Sequence, residues 1–316
     1  MNRNTLFSIL ATAALGIVMA GPVSAKTTRW TSGDATNPAK WHEANNWNNG
    51  IPVAGDTVNI QPLSQPDGYQ DPVLSTADGA AGDLTLGNGF TLTITGRTLT
   101  LDLAVTHDID GEIRLSADAS VLKITGDDAT LDIAGAIILQ ADGAVLDLDA
   151  DVTVQGAGEI KGEDNAAKIQ IKGGTTLTST MLIQGHMVIE TNGGSGAGKL
   201  DNRGLVYANG DGTLALGENL LLDDTGSAVR WKVGNVGGAI LEFRNEHIDS
   251  SKLDGDFAVA NCSKLKFEKT IETNGDFDTG AAAGFVDVDA ANSVEFRYDC
   301  VGGCTVIDSD ETYGGC

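Results

Sequence analysis

The chain has 316 residues, a formal net charge of −24 at pH 7, 41 glycines and only 5% aromatic residues. Such a surface repels nucleic acid and anionic membranes, which excludes both as partners. Abundant glycine and scarce aromatics argue against a large aromatic core and for a turn-rich stack of short strands.

Residues 1–25 read as a secretory signal. Arg3 supplies the positive start, residues 6–20 (LFSILATAALGIVMA) the apolar segment, and Val23-Ser24-Ala25 the small-residue cleavage site. The apolar run is too short for a transmembrane anchor and ends in Gly21-Pro22. No later segment is long and apolar enough to span a membrane as a helix. The expected location is secreted or at the cell surface, with the periplasm as a further possibility.

Residues 26–82 are expected to form an N-terminal cap and its connection. Trp30, Trp41 and Trp47 fall here, and all six prolines lie at or before Pro72. A first solenoid turn exposes an apolar end and an unpaired strand edge, which bulky Trp side chains can cover. The rival role for these rings is an exposed carbohydrate platform. His42-Glu43 lacks the second His of a metalloprotease helix. Residues 63–82 (LSQPDGYQDPVLSTADGAAG) read as a loop.

Residues 83–247 carry the dominant pattern. Leu99, Leu101 and Leu103 alternate with polar residues, as do Leu146 and Leu148. This period of two places aliphatics on one face and polar groups on the other. The runs also repeat. Ile113 and Leu115 recur as Ile137 and Leu139, and Val121, Leu122 and Ile124 as Val145, Leu146 and Leu148. The next copy brings Ile160, then Ile169 and Ile171, then Ile183. A period of 23–24 residues with three strand signals predicts an all-β, right-handed parallel β-helix, a β-solenoid of nine or ten turns.

With the repeat in view, the pattern W…W…A-N-N-W…G-I-P…G-D-T-V-N-I resembles the opening of secreted bacterial right-handed β-helix proteins of the autotransporter-passenger and adhesin type. It rests on Trp41, Asn45, Asn46, Trp47, Gly50, Pro52, Gly55, Asp56, Val58 and Ile60. The resemblance implies a passenger-like rod with a surface role and covers about 35 residues. The rest of the chain matches by repeat alone.

Residues 248–316 are less regular. LEF (241–243), LKF (265–267) and VEF (294–296) read as successive copies of one strand, with Phe243, Phe267 and Phe296 stacked in the core. Cys262, Cys300, Cys304 and Cys316 are disulfide candidates in an exported chain, with three pairings possible. Zinc is disfavoured because His42, His107, His186 and His247 are scattered.

Reading the outward residues turn by turn gives three expected columns: Thr100, Lys123, Asp147, Gln170; then Asp132, Thr153, Thr176; then Arg114, Ile138, Lys161, Gln184. None gathers acids and a base on neighbouring turns. Arg114 and Lys161 fall two turns apart, roughly 10 Å. Asp147 and Asp149 have the separation of a glycosidase pair, while Lys123 beside Asp147 reads as a cross-strand charge pair. No catalytic residue and no organic cofactor is expected. Residues 98–160 hold thirteen acids against Arg114 and Lys123. The acidic bends are therefore either a solvated surface or oxygen ligands for Ca²⁺, with NGDGT (209–213) and DSDET (308–312) as candidates. GSGAG (194–198) reads as a loop between turns. The Thr runs at 91–100 resemble the ladders of ice-binding solenoids, but no ladder is expected to persist.

The sequence thus predicts an exported, non-catalytic β-helix with a structural or adhesive role, and with a polysaccharide or another surface protein as partner. The alternatives are a carbohydrate-active enzyme or binding module on the same fold, and a Ca²⁺-dependent surface-assembly protein.

Overall fold

Strands repeating every 23–24 residues bury their aliphatics only by stacking in register on the turn before, and that is the arrangement found. A computed structural model describes residues 25–61, 68–224, 229–234 and 239–244, then short segments at 256–259, 263–267, 272–273, 277–278, 285–288, 295–296 and 306–308. The chain is an all-β parallel solenoid of about eight turns and about 23 residues per turn, with nearly no helix. The signal segment and the four cysteines lie outside the described residues.

Three faces run along the rod, and an inward column can be followed along each. On the first face Val58, Leu84, His107, Leu131, Val154, Ser179, Asn202 and Asp224 follow one another. On the second the order is Leu92, Ile113, Ile137, Ile160, Ile183, Val206 and Trp231. On the third it is Leu99, Leu122, Leu146, Ile169, Ile189, Leu216 and Phe243. The aliphatics of these columns are fully buried. Each contributes about 1.5–3 kcal/mol of burial before the entropy of ordering is subtracted.

The expected strand periods hold at Ile113/Ile137, Leu122/Leu146 and Ile160/Ile183. Two strands are longer than expected. Glu159–Gly173 and Leu182–Gly194 run through the corner between the second and third faces, with a register shift between Glu163 and Lys168. The stretch 63–82, expected as loop, contains strands Val73–Leu74 and Gly79–Ala81. The first is too short to show alternation and follows Pro72 directly, and the second is made of small residues. The copy after Leu265-Lys266-Phe267 is Val286-Asp287-Val288, not the run ending at Phe296; Glu295–Phe296 pairs with Glu272–Thr273. The expected Phe296 stack is thereby overturned. An aromatic cluster does form at Trp231, Phe243 and Phe257, with ring centroids 5.3–6.4 Å apart.

At the N-terminal end Trp47 packs edge-on against both Trp30 and Trp41, with centroids 4.8 Å apart in each pair. Trp30 and Trp41 are 0% exposed and Trp47 4%. These rings are therefore core, and an exposed Trp platform for sugar is excluded. The neighbouring loop covers the outer edge of strand Thr27–Arg29. Arg29 N–H donates to Asn48 Oδ1 (2.7 Å), Asn48 N–H to the Arg29 carbonyl (3.1 Å), and Asn49 Nδ2 to the Thr27 carbonyl (2.6 Å). Strand edges left open recruit other chains; this one is occupied.

The corner from first to second face is built on a glycine column. A Cβ on Gly135 would lie 1.8 Å from the Gly111 carbonyl oxygen, and one on Gly158 2.0 Å from that of Gly135. The backbones approach this closely because Gly135 N–H donates to the Ile109 carbonyl at 3.0 Å. Gly135→Val should therefore destabilise the rod by roughly 3 kcal/mol or more, seen as a lowered thermal midpoint and faster proteolysis. Leu146→Asp places an unpaired charge between Leu122 and Ile169 and should abolish folding, read as loss of the β-rich circular dichroism signal.

Candidate functional site

Outward side chains on a solenoid stand beside their counterparts one turn away, so each face carries ladders of polar groups. The column Thr100, Lys123, Asp147, Gln170 forms as expected. So does Arg114, Ile138, Lys161, Gln184. The column Asp132, Thr153, Thr176 does not. Thr153 lies between Thr130 and Thr178, whereas Asp132 lies between Asp108 and Gln155. Strand Ala129–Ile133 begins two residues before Leu131, which moves the register by one outward position. The correction reveals a Thr ladder that the sequence reading missed: Thr106, Thr130, Thr153 and Thr178 on consecutive turns. The Thr runs at 91–100 give no such ladder, because Thr93 is followed by Arg114 and Thr100 by Lys123.

The residues weighed for catalysis are held in ion pairs. Lys123 Nζ lies 2.7 Å from both Asp147 Oδ2 and Asp149 Oδ2. Burial alone would lower the Lys123 pKa, but its hydrogen bonds to the two carboxylates outweigh that and hold it above the ordinary value. The pair proposed for glycoside chemistry thus clamps a lysine. Arg114 lies 2.6 Å from Glu112, and Lys161 2.6 Å from Glu163. Further along, Lys168 binds Glu190, Arg203 binds Asp201, and Glu242 takes both Arg244 and Lys266. Burial pushes the Glu242 pKa up, yet the two cations bring it below its usual value.

Two grooves follow the same rule. In one of about 300 Å³, lined by Phe90, Thr91 and Gly111, the Glu112 carboxylate is held by Arg114. In one of about 270 Å³, Glu190 and Arg244 are bound by Lys168 and Glu242. His42 is occupied locally, by the Asp78 carbonyl (3.0 Å) and Thr76 Oγ1 (3.2 Å). Gly194 ends a strand and Gly198 begins the next, so GSGAG is a connection between turns.

A different grouping appears at the corner from third to first face. Asp127, Asp128 and Asp151 are exposed, and their carboxylate oxygens lie within 4.8 Å of one another. Beside them is a groove of about 230 Å³ lined by Asp128, Asp151, Thr153, Thr176 and Thr178. Asp151 Oδ1 accepts the Thr176 N–H at 2.7 Å, and Asp128 has a φ of 60°. Hard oxygen donors suit Ca²⁺ better than softer metals, and these three carboxylates would supply part of its coordination shell. This grouping is separate from residues 209–213 and 308–312, the acidic runs named above as Ca²⁺ candidates. Asp211 is an exposed bend residue, and residues 309–312 lie outside the described residues. The 23-residue period contained the missed signal, since Ala129 pairs with Val152 and so sets Asp128 beside Asp151.

Comparison with protein-family models, curated proteins and solved structures finds no match in any of the three. The likeness of residues 30–60 to secreted β-helix openings therefore rests on those residues alone.

The clamp on Lys123 makes a measurable prediction. Lys123→Met leaves Asp147 and Asp149 facing each other without a cation. It should lower stability by about 1 kcal/mol at low ionic strength and by less at 1 M salt, read from thermal midpoints in the two buffers.

Proposed function

We propose that this protein is an exported, non-catalytic solenoid with a structural or adhesive role at the cell surface or outside the cell. The observation that carries the reading is the use of Arg114, Lys123, Lys161, Asp147 and Asp149 in local ion pairs. A lyase needs a free base beside its acids, and a hydrolase needs two carboxylates facing an open groove. Here those groups neutralise one another along the faces. What remains is a rod with regular polar ladders, a surface suited to a repeating partner such as a polysaccharide or another surface protein. Export is the reading of residues 1–25, and the Trp30–Trp41–Trp47 cluster with its edge-covering loop serves as the N-terminal cap. The deciding experiment incubates the purified chain with a polysaccharide panel and measures both bound glycan and released oligosaccharide. Binding without release is expected; released product would move the protein to the carbohydrate-active enzymes.

A second reading, Ca²⁺ binding in service of assembly, is favoured by the Asp127–Asp128–Asp151 grouping. An extracellular-type site with a dissociation constant of about 10⁻⁴–10⁻³ M would add about 2 kcal/mol at 10 mM Ca²⁺. The thermal midpoint should rise by a few degrees in 10 mM Ca²⁺, return on chelation, and stay unmoved in the Asp128→Asn, Asp151→Asn double variant. An unchanged midpoint in the unaltered chain would end this reading.

A further inference from the structure

His107 occupies an inward position of the first face, where its neighbour on the next turn is Leu131, and it is 0% exposed. Among the described residues no other histidine lies in an inward column. Its strand, Thr106–Ile109, pairs with Asp83–Leu86 only through Thr85 with Asp108 and Leu86 with Ile109. One position earlier the ladder is not closed by backbone. There the Leu84 N–H donates to Nδ1 of His107 at 3.2 Å. A side chain thus completes a rung. Because Nδ1 accepts, the imidazole is neutral with its proton on Nε2, and that buried atom has no hydrogen-bond partner.

We propose that His107 is an acid-sensitive latch: its neutral imidazole closes the rung between strands Asp83–Leu86 and Thr106–Ile109, and its protonation opens that rung. Both ring nitrogens of an imidazolium are donors. Nδ1–H would then face Leu84 N–H, and the positive charge would sit against Leu131. The groups facing the ring do not compensate. Asp83 Oδ1 is 3.8 Å from Nδ1, beyond hydrogen-bond reach. Burial, with Asp108 beside it, raises the Asp83 pKa, so this carboxylate takes up its own proton more readily as pH falls. The Leu103 backbone and Asp102 favour the charged ring, but burial outweighs both and pushes the His107 pKa down to about 4.

The sign follows. An unfolded histidine titrates near ~6.5, so the unfolded chain binds the proton first. The stability due to this residue is complete above that value and is lost as pH falls towards 4. Between pH 7 and pH 4 the folding equilibrium should shift towards the unfolded or locally open chain by on the order of 10²-fold. Protonation of Asp83, whose folded-state pKa is raised by burial, acts in the opposite direction.

The test uses the purified chain and His107→Gln, which keeps a neutral acceptor. Denaturation midpoints measured from pH 7 to 4 should fall steeply in the unaltered chain and more gently in the variant. Imidazole NMR on the unaltered protein should show His107 titrating well below pH 6. Amide exchange at Leu84 should accelerate on acidification before that at Leu122. A His107 titration near 6.5 in the folded chain overturns the proposal, as does an identical acid dependence in His107→Gln. If that variant does not fold, the NMR titration decides alone.

Discussion

Everything in this rod depends on the parallel ladder that ties each residue to its counterpart one turn, about 23 residues, earlier. A ladder spacing of ~4.8 Å brings side chains at equivalent positions into contact whether or not their chemistry agrees. Where the residue is Leu, Ile or Val, contact is burial, as in the run from Leu99 to Leu216. Where it is charged, contact favours a partner of opposite sign. Lys123 answers Asp147 across one turn, and Lys266 answers Glu242 across another. Arg114 and Lys161 find their acids two residues away on their own strands, because the turns between them present uncharged Ile138.

The bends obey a different constraint. They must let one backbone lie on the next, so one corner is reduced to Gly111, Gly135 and Gly158 in file. The corner from third to first face has more room and carries Asp127, Asp128 and Asp151 instead. Much of the net charge of −24 therefore sits in bends, where water screens it. Like charges do also meet on a face, since Asp108 stands directly opposite Asp132. That contact opposes stacking by a fraction of a kcal/mol, and the aliphatic columns beneath outweigh it.

How far this could be read from the sequence follows from the same rule. The period was visible because inward aliphatics cannot vary freely, and so Ile113, Ile137, Ile160 and Ile183 were placed in one column correctly. Outward residues are freer, and one column failed when Asp132 was aligned with Thr153 rather than Gln155. The strands at Val73–Leu74 and Gly79–Ala81 escaped notice because the first is two residues long and the second is made of small residues, so neither shows a two-residue rhythm. The acidic grouping at Asp128 and Asp151 was legible in the period but not in any local motif. Its oxygens come together only through stacking, and local acidic runs such as residues 209–213 drew the eye away. His107 was countable as a histidine, yet nothing in its neighbours revealed that Nδ1 would stand in for a backbone carbonyl.

That substitution belongs to a wider asymmetry of the interior. On the second and third faces the columns from Leu92 to Trp231 and from Leu99 to Phe243 are apolar at every turn. The first face holds Thr28, His107, Ser179, Asn202 and Asp224 in a single inward column, each almost wholly buried. Some of these polar groups are satisfied: Thr28 by the Gly50 carbonyl, Asn202 Nδ2 by the Arg230 carbonyl, Asp224 by Trp231 Nε1. Others are not, since Ser179 Oγ and Asn202 Oδ1 lack a partner on adjacent turns. An unsatisfied buried polar group costs about 1–3 kcal/mol, and this inward column carries such atoms at His107 Nε2, Ser179 Oγ and Asn202 Oδ1. The other two faces are also joined through strands Glu159–Gly173 and Leu182–Gly194, which run continuously from one to the next. The first face is made of separate strands of three to five residues. At those two turns the second and third faces form one apolar trough that the first face closes, so opening of the rod should begin where the closing column is polar.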